Sequence, residues 1–388
     1  MKHTIKSLTV ILFLSVLFIS ANAIDINSRD TFLKKGPYEG EYWPTYGWKG
    51  CRPEEVGMDS ELLLRAYDYV ANPDVYTRGL VIIRKGYIVG EAYFGNFDFY
   101  SRHPSYSVAK SFMSALIGIG IDRRMFESVE EPIYFYYPEL NQKKGVRVRS
   151  YYLEEPPSSG AQRRITIENL LTMSSGLEWN EDDASNLVAS DVVQMALQKN
   201  YVQYVLSKPI IHEPGTVWNY SSGDSMLLSG LFNRVSGVSA YQFGLENLFI
   251  PIGIPHIVWQ SDSAGQTIGG WGIEATVREY AKFGYLYSKG GEWEDRQVVP
   301  RGWIYQSVQP VSENVNYYGY LWWLRPSLGG SAGSIIPEDM FFALGLFTQQ
   351  IFVIPSKDLV IVRMANDLAS YEWNEVDFLT IILESLLD

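Results

Sequence analysis

Ser107 and Lys110 stand three residues apart in Tyr106-Ser107-Val108-Ala109-Lys110-Ser111-Phe112, the only Ser-x-x-Lys in the chain. On a helix, that spacing places both side chains on one face, about a turn apart. A serine hydroxyl is a weak nucleophile until a neighbouring base takes its proton. A lysine can be that base only when neutral, and burial in an apolar, water-poor site favours the neutral form. The residues that follow supply the burial. Val108, Phe112, Ala115, Leu116 and Ile119 recur at helical spacing and predict an apolar helix face. A serine at the first turn of such a helix also lies among free backbone N–H groups, which suit developing negative charge.

A second serine competes for the role. Gly329-Gly330-Ser331-Ala332-Gly333 satisfies Gly-x-Ser-x-Gly, the nucleophile elbow of α/β-hydrolases. That elbow needs a strand before it and a helix after it, whereas Pro326 precedes this one and Ile335-Ile336-Pro337 follows. It also needs a later histidine, and His256 is the last in the chain. A Ser-His-Asp enzyme of the elbow type is thereby excluded, and the stretch reads as a glycine-rich surface loop. No group of His, Cys and carboxylates has zinc-like spacing.

The elements that must position Ser107 are legible around it. Leu80 to Arg84 and Tyr87 to Phe94 flank Lys85-Gly86, a two-residue hairpin signal, and lead through the loop Gly95 to Tyr106 into the Ser107 helix. A helix is expected from Ser60 to Ala71 with Ser60 as its cap, and another opens at Thr166, with Glu168 in its first turn. Helical stretches are expected over Asp191 to Leu206, Ser225 to Ser236 and Ser239 to Phe249, then over Thr276 to Tyr287, which Lys289-Gly290-Gly291 ends. Strands return at Gly319 to Leu324, Met340 to Leu346, Gln350 to Ile354 and Leu359 to Met364, with Asn374 to Leu387 as a closing helix. Strands at both ends with helices between them predict an α/β (α+β) fold. Its antiparallel sheet (about 51–130 and 265–388) would be flanked by helices and carry an all-helical insert (about 131–264).

Three stretches in order now resemble a known superfamily: Ser107-Val108-Ala109-Lys110, Leu170-Leu171-Thr172-Met173-Ser174-Ser175-Gly176-Leu177, and Pro214-Gly215-Thr216 with Tyr220-Ser221. Together with Gly270-Trp271-Gly272 they look like the serine β-lactamases and penicillin-binding proteins on the class C side. The match is closest to the esterase and 6-aminohexanoate-dimer hydrolase members. The resemblance implies Ser107 as acylated nucleophile, Lys110 as proton-transfer partner and Tyr220 as the tyrosine of a Tyr-x-Asn element. Here Ser222 stands where that element has Asn. The superfamily's Lys-Thr-Gly strand is missing, and Ala343-Leu344-Gly345 occupies the matching place. By the same resemblance the N–H of Leu346 joins that of Ser107 in an oxyanion hole, Gly345 lets substrate approach the strand, and Trp179 borders the cleft. No metal and no organic cofactor is implied.

Composition bounds the partners. A net charge of −12 argues against nucleic acid and anionic membranes, and 27 Tyr, 18 Phe and 11 Trp are enough to line a cleft as well as a core. Met1 to Ala23 reads as a secretory signal peptide: Lys2 and Lys6, an apolar core from Leu8 to Ile19, and Ala21-Asn22-Ala23 for cleavage. A periplasmic or secreted protein without a stable membrane anchor is expected. At 388 residues the chain exceeds what one core usually serves, so two subdomains are expected. Cys51, the single cysteine, can form no disulfide within the chain. The expected activity is hydrolysis of a small-molecule ester or amide through an acyl-enzyme. The alternative is a sensor that acylates Ser107 without turnover.

Overall fold

The computed structural model describes residues 29–387 except 142–159, 182–188, 330–334 and 367–372. The expected signal peptide and the Ser331 stretch lie outside the described residues.

Six antiparallel strands form the main sheet in the order Tyr87–Tyr93, Thr77–Arg84, Leu359–Ala365, Gln349–Ile354, Phe341–Gly345, Trp323–Leu324. Lys85 and Gly86 both take positive φ (48° and 82°), the requirement of the tight turn that joins the first pair. Pairing of Ile82 with Ile361 and of Phe352 with the same residue stacks branched and aromatic side chains across the centre of the sheet. The strand Tyr87–Tyr93 would be a bare edge, but the N-terminal arm covers it. Lys34 N–H donates to the Val89 carbonyl and Cys51 N–H to the Ile88 carbonyl, both at 3.1 Å.

The two faces of the sheet are buried differently. Ile82, Phe342, Phe352 and Ile361 pack under helices Ser60–Val70 and Glu375–Glu384. Val81, Ala343, Ile351 and Val362 face helices Val108–Asp122 and Val277–Ser288. From Ile133 to Phe249 the described regular elements are all helical, and their apolar residues belong to this second core. The helical part and the sheet thus share one continuous hydrophobic interior, and the site lies where they meet.

Local departures from the expected elements have identifiable causes. Helix Ser60–Val70 is capped by Asp59, whose carboxylate accepts from Leu62 N–H, so Ser60 is the first helical residue. The stretch Asp191 to Leu206 forms two helices, Asp191–Ala196 and Tyr201–Leu206. Asn200 interrupts it by capping the second through Gln203 N–H. Only Trp323–Leu324 forms a strand in the Gly319 to Leu324 run, because Leu321 takes φ 62° and its N–H goes to the Leu171 carbonyl. The loop Gly95 to Tyr106 contains a strand, Arg102–Pro104, that pairs with Ile273–Thr276.

Candidate active site

Ser107 caps the helix Val108–Asp122 in helical geometry (φ −67°, ψ −7°), and its hydroxyl makes no capping bond. The hydroxyl is therefore not committed to the backbone as capping serines usually are. Tyr106 just before it takes φ 45°, a conformation that costs about 1 kcal/mol or more in a non-glycine residue. Its ring meets Phe347 edge-on at 5.1 Å, which helps hold that turn. One helical turn on, Lys110 is 1 % exposed. Its Nζ lies 2.9 Å from Ser107 Oγ, 2.9 Å from Ser222 Oγ and 3.2 Å from the Gly270 carbonyl oxygen. Gly270 can come this close because it has no side chain: a Cβ there would stand 3.1 Å from the Ser222 Cβ.

Tyr220 and Ser222 reach the lysine through the turn between Leu171 and Leu177. Asn219 N–H donates to the Met173 carbonyl at 2.8 Å, and Asn219 Nδ2 to the Trp179 carbonyl at 2.9 Å. Ser221 then caps helix Ser222–Ser236, accepting from Asp224 N–H, which places Ser222 in the first turn beside Lys110. Lys110 Nζ sits over the face of the Tyr220 ring, 4.8 Å from its centre. Trp323 stacks on that ring at 5.9 Å, and Trp218 and Tyr318 pack around it. Ser222 donates its hydroxyl to Glu181 Oε1 (2.6 Å) and its N–H to Glu181 Oε2 (2.7 Å).

The strand Phe341–Gly345 passes directly against the nucleophile. A Cβ on Gly345 would lie 3.2 Å from the amide nitrogen of Ser107. Leu346 follows just after the strand and is 59 % exposed. Gly345 lies at the nucleophile and Ala343, on the same face of the strand, is fully buried in the core behind the nucleophile helix, whereas the intervening Leu344 packs on the opposite core. In the place of Lys-Thr-Gly, the inward face therefore carries a methyl group and a hydrogen atom.

Trp179, expected at the cleft border, is only 6 % exposed. Its ring packs against Gly223, whose Cβ would meet it at 2.7 Å, and its indole N–H donates to Glu181 Oε2 at 2.8 Å. The geometry is that of a buried support, because the ring spends its surface on packing and its polar edge on Glu181. Sequence reasoning gave Glu181 no role, since 41 positions separate it from Ser222 and no local pattern joins them. Asp224 was missed for the same reason. Burial pushes its carboxyl up to about 7, with Oδ1 accepting from Ser175 at 2.7 Å and Oδ2 without a partner among the described residues. Lys289 caps the end of helix Val277–Ser288 and pairs with Asp358.

A model of the Beta-lactamase family matches residues 69–383. The fold is similar to a Bacillus anthracis protein assigned as a 6-aminohexanoate-dimer hydrolase (21% identity, TM-score 0.64, 95% of this chain and 92% of that one). It is also similar to a family VIII carboxylesterase (13%, 0.61, 84% and 96%) and a penicillin-binding protein homologue from Caulobacter crescentus (13%, 0.62, 83% and 95%). An uncharacterised Alkalihalophilus pseudofirmus protein is 30% identical over 104 residues, 25% of this chain and 31% of its own length. The matched stretch thus spans about a third of that relative.

Proposed function

The chain belongs to the Beta-lactamase family, and on that premise we propose that it is a serine hydrolase, an exported esterase or amidase that works through an acyl-enzyme on Ser107. The observation that carries this reading is the position of Lys110 Nζ, 2.9 Å from Ser107 Oγ and buried among groups that accept hydrogen bonds. In the mechanism, Lys110 as the neutral amine takes the Ser107 proton while Oγ attacks the substrate carbonyl carbon. The carbonyl oxygen becomes an oxyanion held by the N–H groups of Ser107 and Leu346. Gly345 supports this pairing by leaving room beside the Ser107 amide. Lys110 and the Tyr220 hydroxyl return a proton to the leaving alcohol or amine as the tetrahedral centre collapses. Water then adds to the acyl-enzyme and regenerates the Ser107 hydroxyl.

The substrate reading is an uncharged acyl ester or linear amide. It is supported by the inward face of Ala343 and Gly345, which offers no cation to a substrate carboxylate, and by the ring cluster of Tyr220, Trp218, Tyr318 and Trp323. Export is supported by the pattern of Met1 to Ala23. The test of the site is labelling with a fluorophosphonate probe, which Ser107→Ala should abolish and Ser331→Ala should leave intact. The reverse outcome overturns the assignment. Sequencing of secreted material should find the mature chain beginning near Ile24; a retained Met1 on membrane-bound protein would show an anchor instead.

A further inference from the structure

A lysine that is to deprotonate a serine has to point its lone pair at that serine. Neutral Lys110 has two hydrogens and one lone pair for three neighbours: Ser107 Oγ, Ser222 Oγ and the Gly270 carbonyl oxygen. The carbonyl can only accept, so one hydrogen is settled. Ser222 by itself settles nothing, because a hydroxyl donates or accepts according to how it rotates. Glu181 removes that freedom. Its Oε1 takes the Ser222 hydroxyl proton at 2.6 Å, and its Oε2 is filled by the Ser222 amide at 2.7 Å and the Trp179 indole at 2.8 Å.

We propose that Glu181 is a positioning residue for proton transfer: by holding the Ser222 hydroxyl proton it obliges Ser222 Oγ to accept from Lys110, which leaves the amine's lone pair for Ser107. The proposal rests on Ser107 and Lys110 being nucleophile and base. It adds a residue that touches neither substrate nor Ser107 but decides the direction of every hydrogen bond between Ser222 and the nucleophile. A carboxylate at the start of helix Ser222–Ser236 also suits the helix dipole, but that interaction is indifferent to which way the hydroxyl points. The other titratable groups around this chain are Tyr220, on whose ring Lys110 rests, and Asp224 and Tyr318, both within electrostatic reach of Glu181.

Glu181→Gln separates direction from mere support, because the amide is isosteric with the carboxylate. With its oxygen kept toward the two N–H donors, its NH2 faces Ser222 Oγ and donates to it. The Ser222 proton is then released and free to turn toward Lys110, where it competes for the lone pair that Ser107 needs. The measurement is the pH profile of kcat/KM on p-nitrophenyl butyrate, with thermal melts alongside. The expected result is a plateau at least about tenfold lower with the melting temperature unchanged. A profile that superimposes on that of the parent overturns the proposal. So does a lowered plateau that comes with a lowered melting temperature, the signature of a purely structural residue. In the Ser222→Ala background, where no hydroxyl remains to orient, Glu181→Gln should cost less than about twofold more. If Glu181→Gln does not fold, Ser222→Ala decides alone: activity within twofold of the parent at every pH overturns the proposal. Ser107→Ala run in parallel keeps the two readings apart, because turnover surviving there would refute the nucleophile itself.

Discussion

Gly345 runs so close to the start of the nucleophile helix that a Cβ on it would stand 2.4 Å from the carbonyl oxygen of Ser105. That oxygen is backbone, and its residue is pinned to the neighbouring sheet by Ser105 N–H to the Ile273 carbonyl at 2.8 Å, so it cannot yield cheaply. Gly345→Ala should push the strand away from Ser107 and widen the space in which the oxyanion forms. A hundredfold or greater loss of acylation rate is expected, comparable to removal of one oxyanion donor, with about 1–3 kcal/mol of stability lost. Stopped-flow acylation together with urea melts checks both. Near-parental acylation would place the oxyanion elsewhere.

The proton-transfer groups should fail in different ways. Tyr220→Phe keeps the ring on which Lys110 rests and removes only the hydroxyl. Turnover should fall by roughly 10²–10⁴ while the melting temperature changes little. Lys110→Met should lose activity to the same or a greater degree across the whole pH range. If Tyr220→Phe turns over like the parent on both ester and amide substrates, the leaving group takes its proton from another donor.

Substrate choice follows from the inward face of the strand Phe341–Gly345. A β-lactam carries a carboxylate beside its reactive carbonyl, and burying that charge against Ala343 without a partner costs several kcal/mol. Cleavage of p-nitrophenyl butyrate should exceed that of nitrocefin at least about a hundredfold in kcat/KM, equivalent to roughly 2.7 kcal/mol. Equal efficiencies would mean that a residue outside this strand supplies an anion site.

Asp224 predicts an unusual pH dependence of stability. Its carboxyl, pushed up to about 7 by burial, holds a proton in the folded chain over a range where the unfolded carboxyl, ordinarily at 3.8, has lost its own. The folded state binds more protons between about 4 and about 7, so this group's contribution is full below that window and lost as pH rises through it. The loss is at most about 1.4 kcal/mol for each pH unit inside the window. Asp224→Asn removes the titration, so its urea midpoint should gain on the parent's between pH 4 and pH 8. A gap that stays constant over that range would show that Asp224 is ionised throughout.

What the sequence determined by itself is local. Thr166 caps its helix through Asn169, and Thr276 does the same through Glu279, each a reciprocal pair set by residues three apart. Lys85-Gly86 makes its turn because the flanking strands need positive φ there, and Ser107 and Lys110 share a helix face because they are three apart. Each of these follows from backbone geometry within one turn of chain. The resemblance of three ordered stretches extended this to the family and to the fold.

Tertiary structure decided whatever depends on which distant segments share a small volume. Trp179 carries no local sign that its ring will fill the space against Gly223. Leu344 lies between two positions on the face toward the nucleophile helix and points the other way because successive side chains in a strand alternate. Glu181 meets Ser222 only because the turn at Met173 to Gly176 brings the start of a helix 41 residues later against it. The orientation of a hydroxyl proton, and with it the direction of the lone pair on Lys110, depends on that meeting. No spacing in the chain encodes it, because it is a property of three-dimensional packing and of where each buried polar group finds its partner.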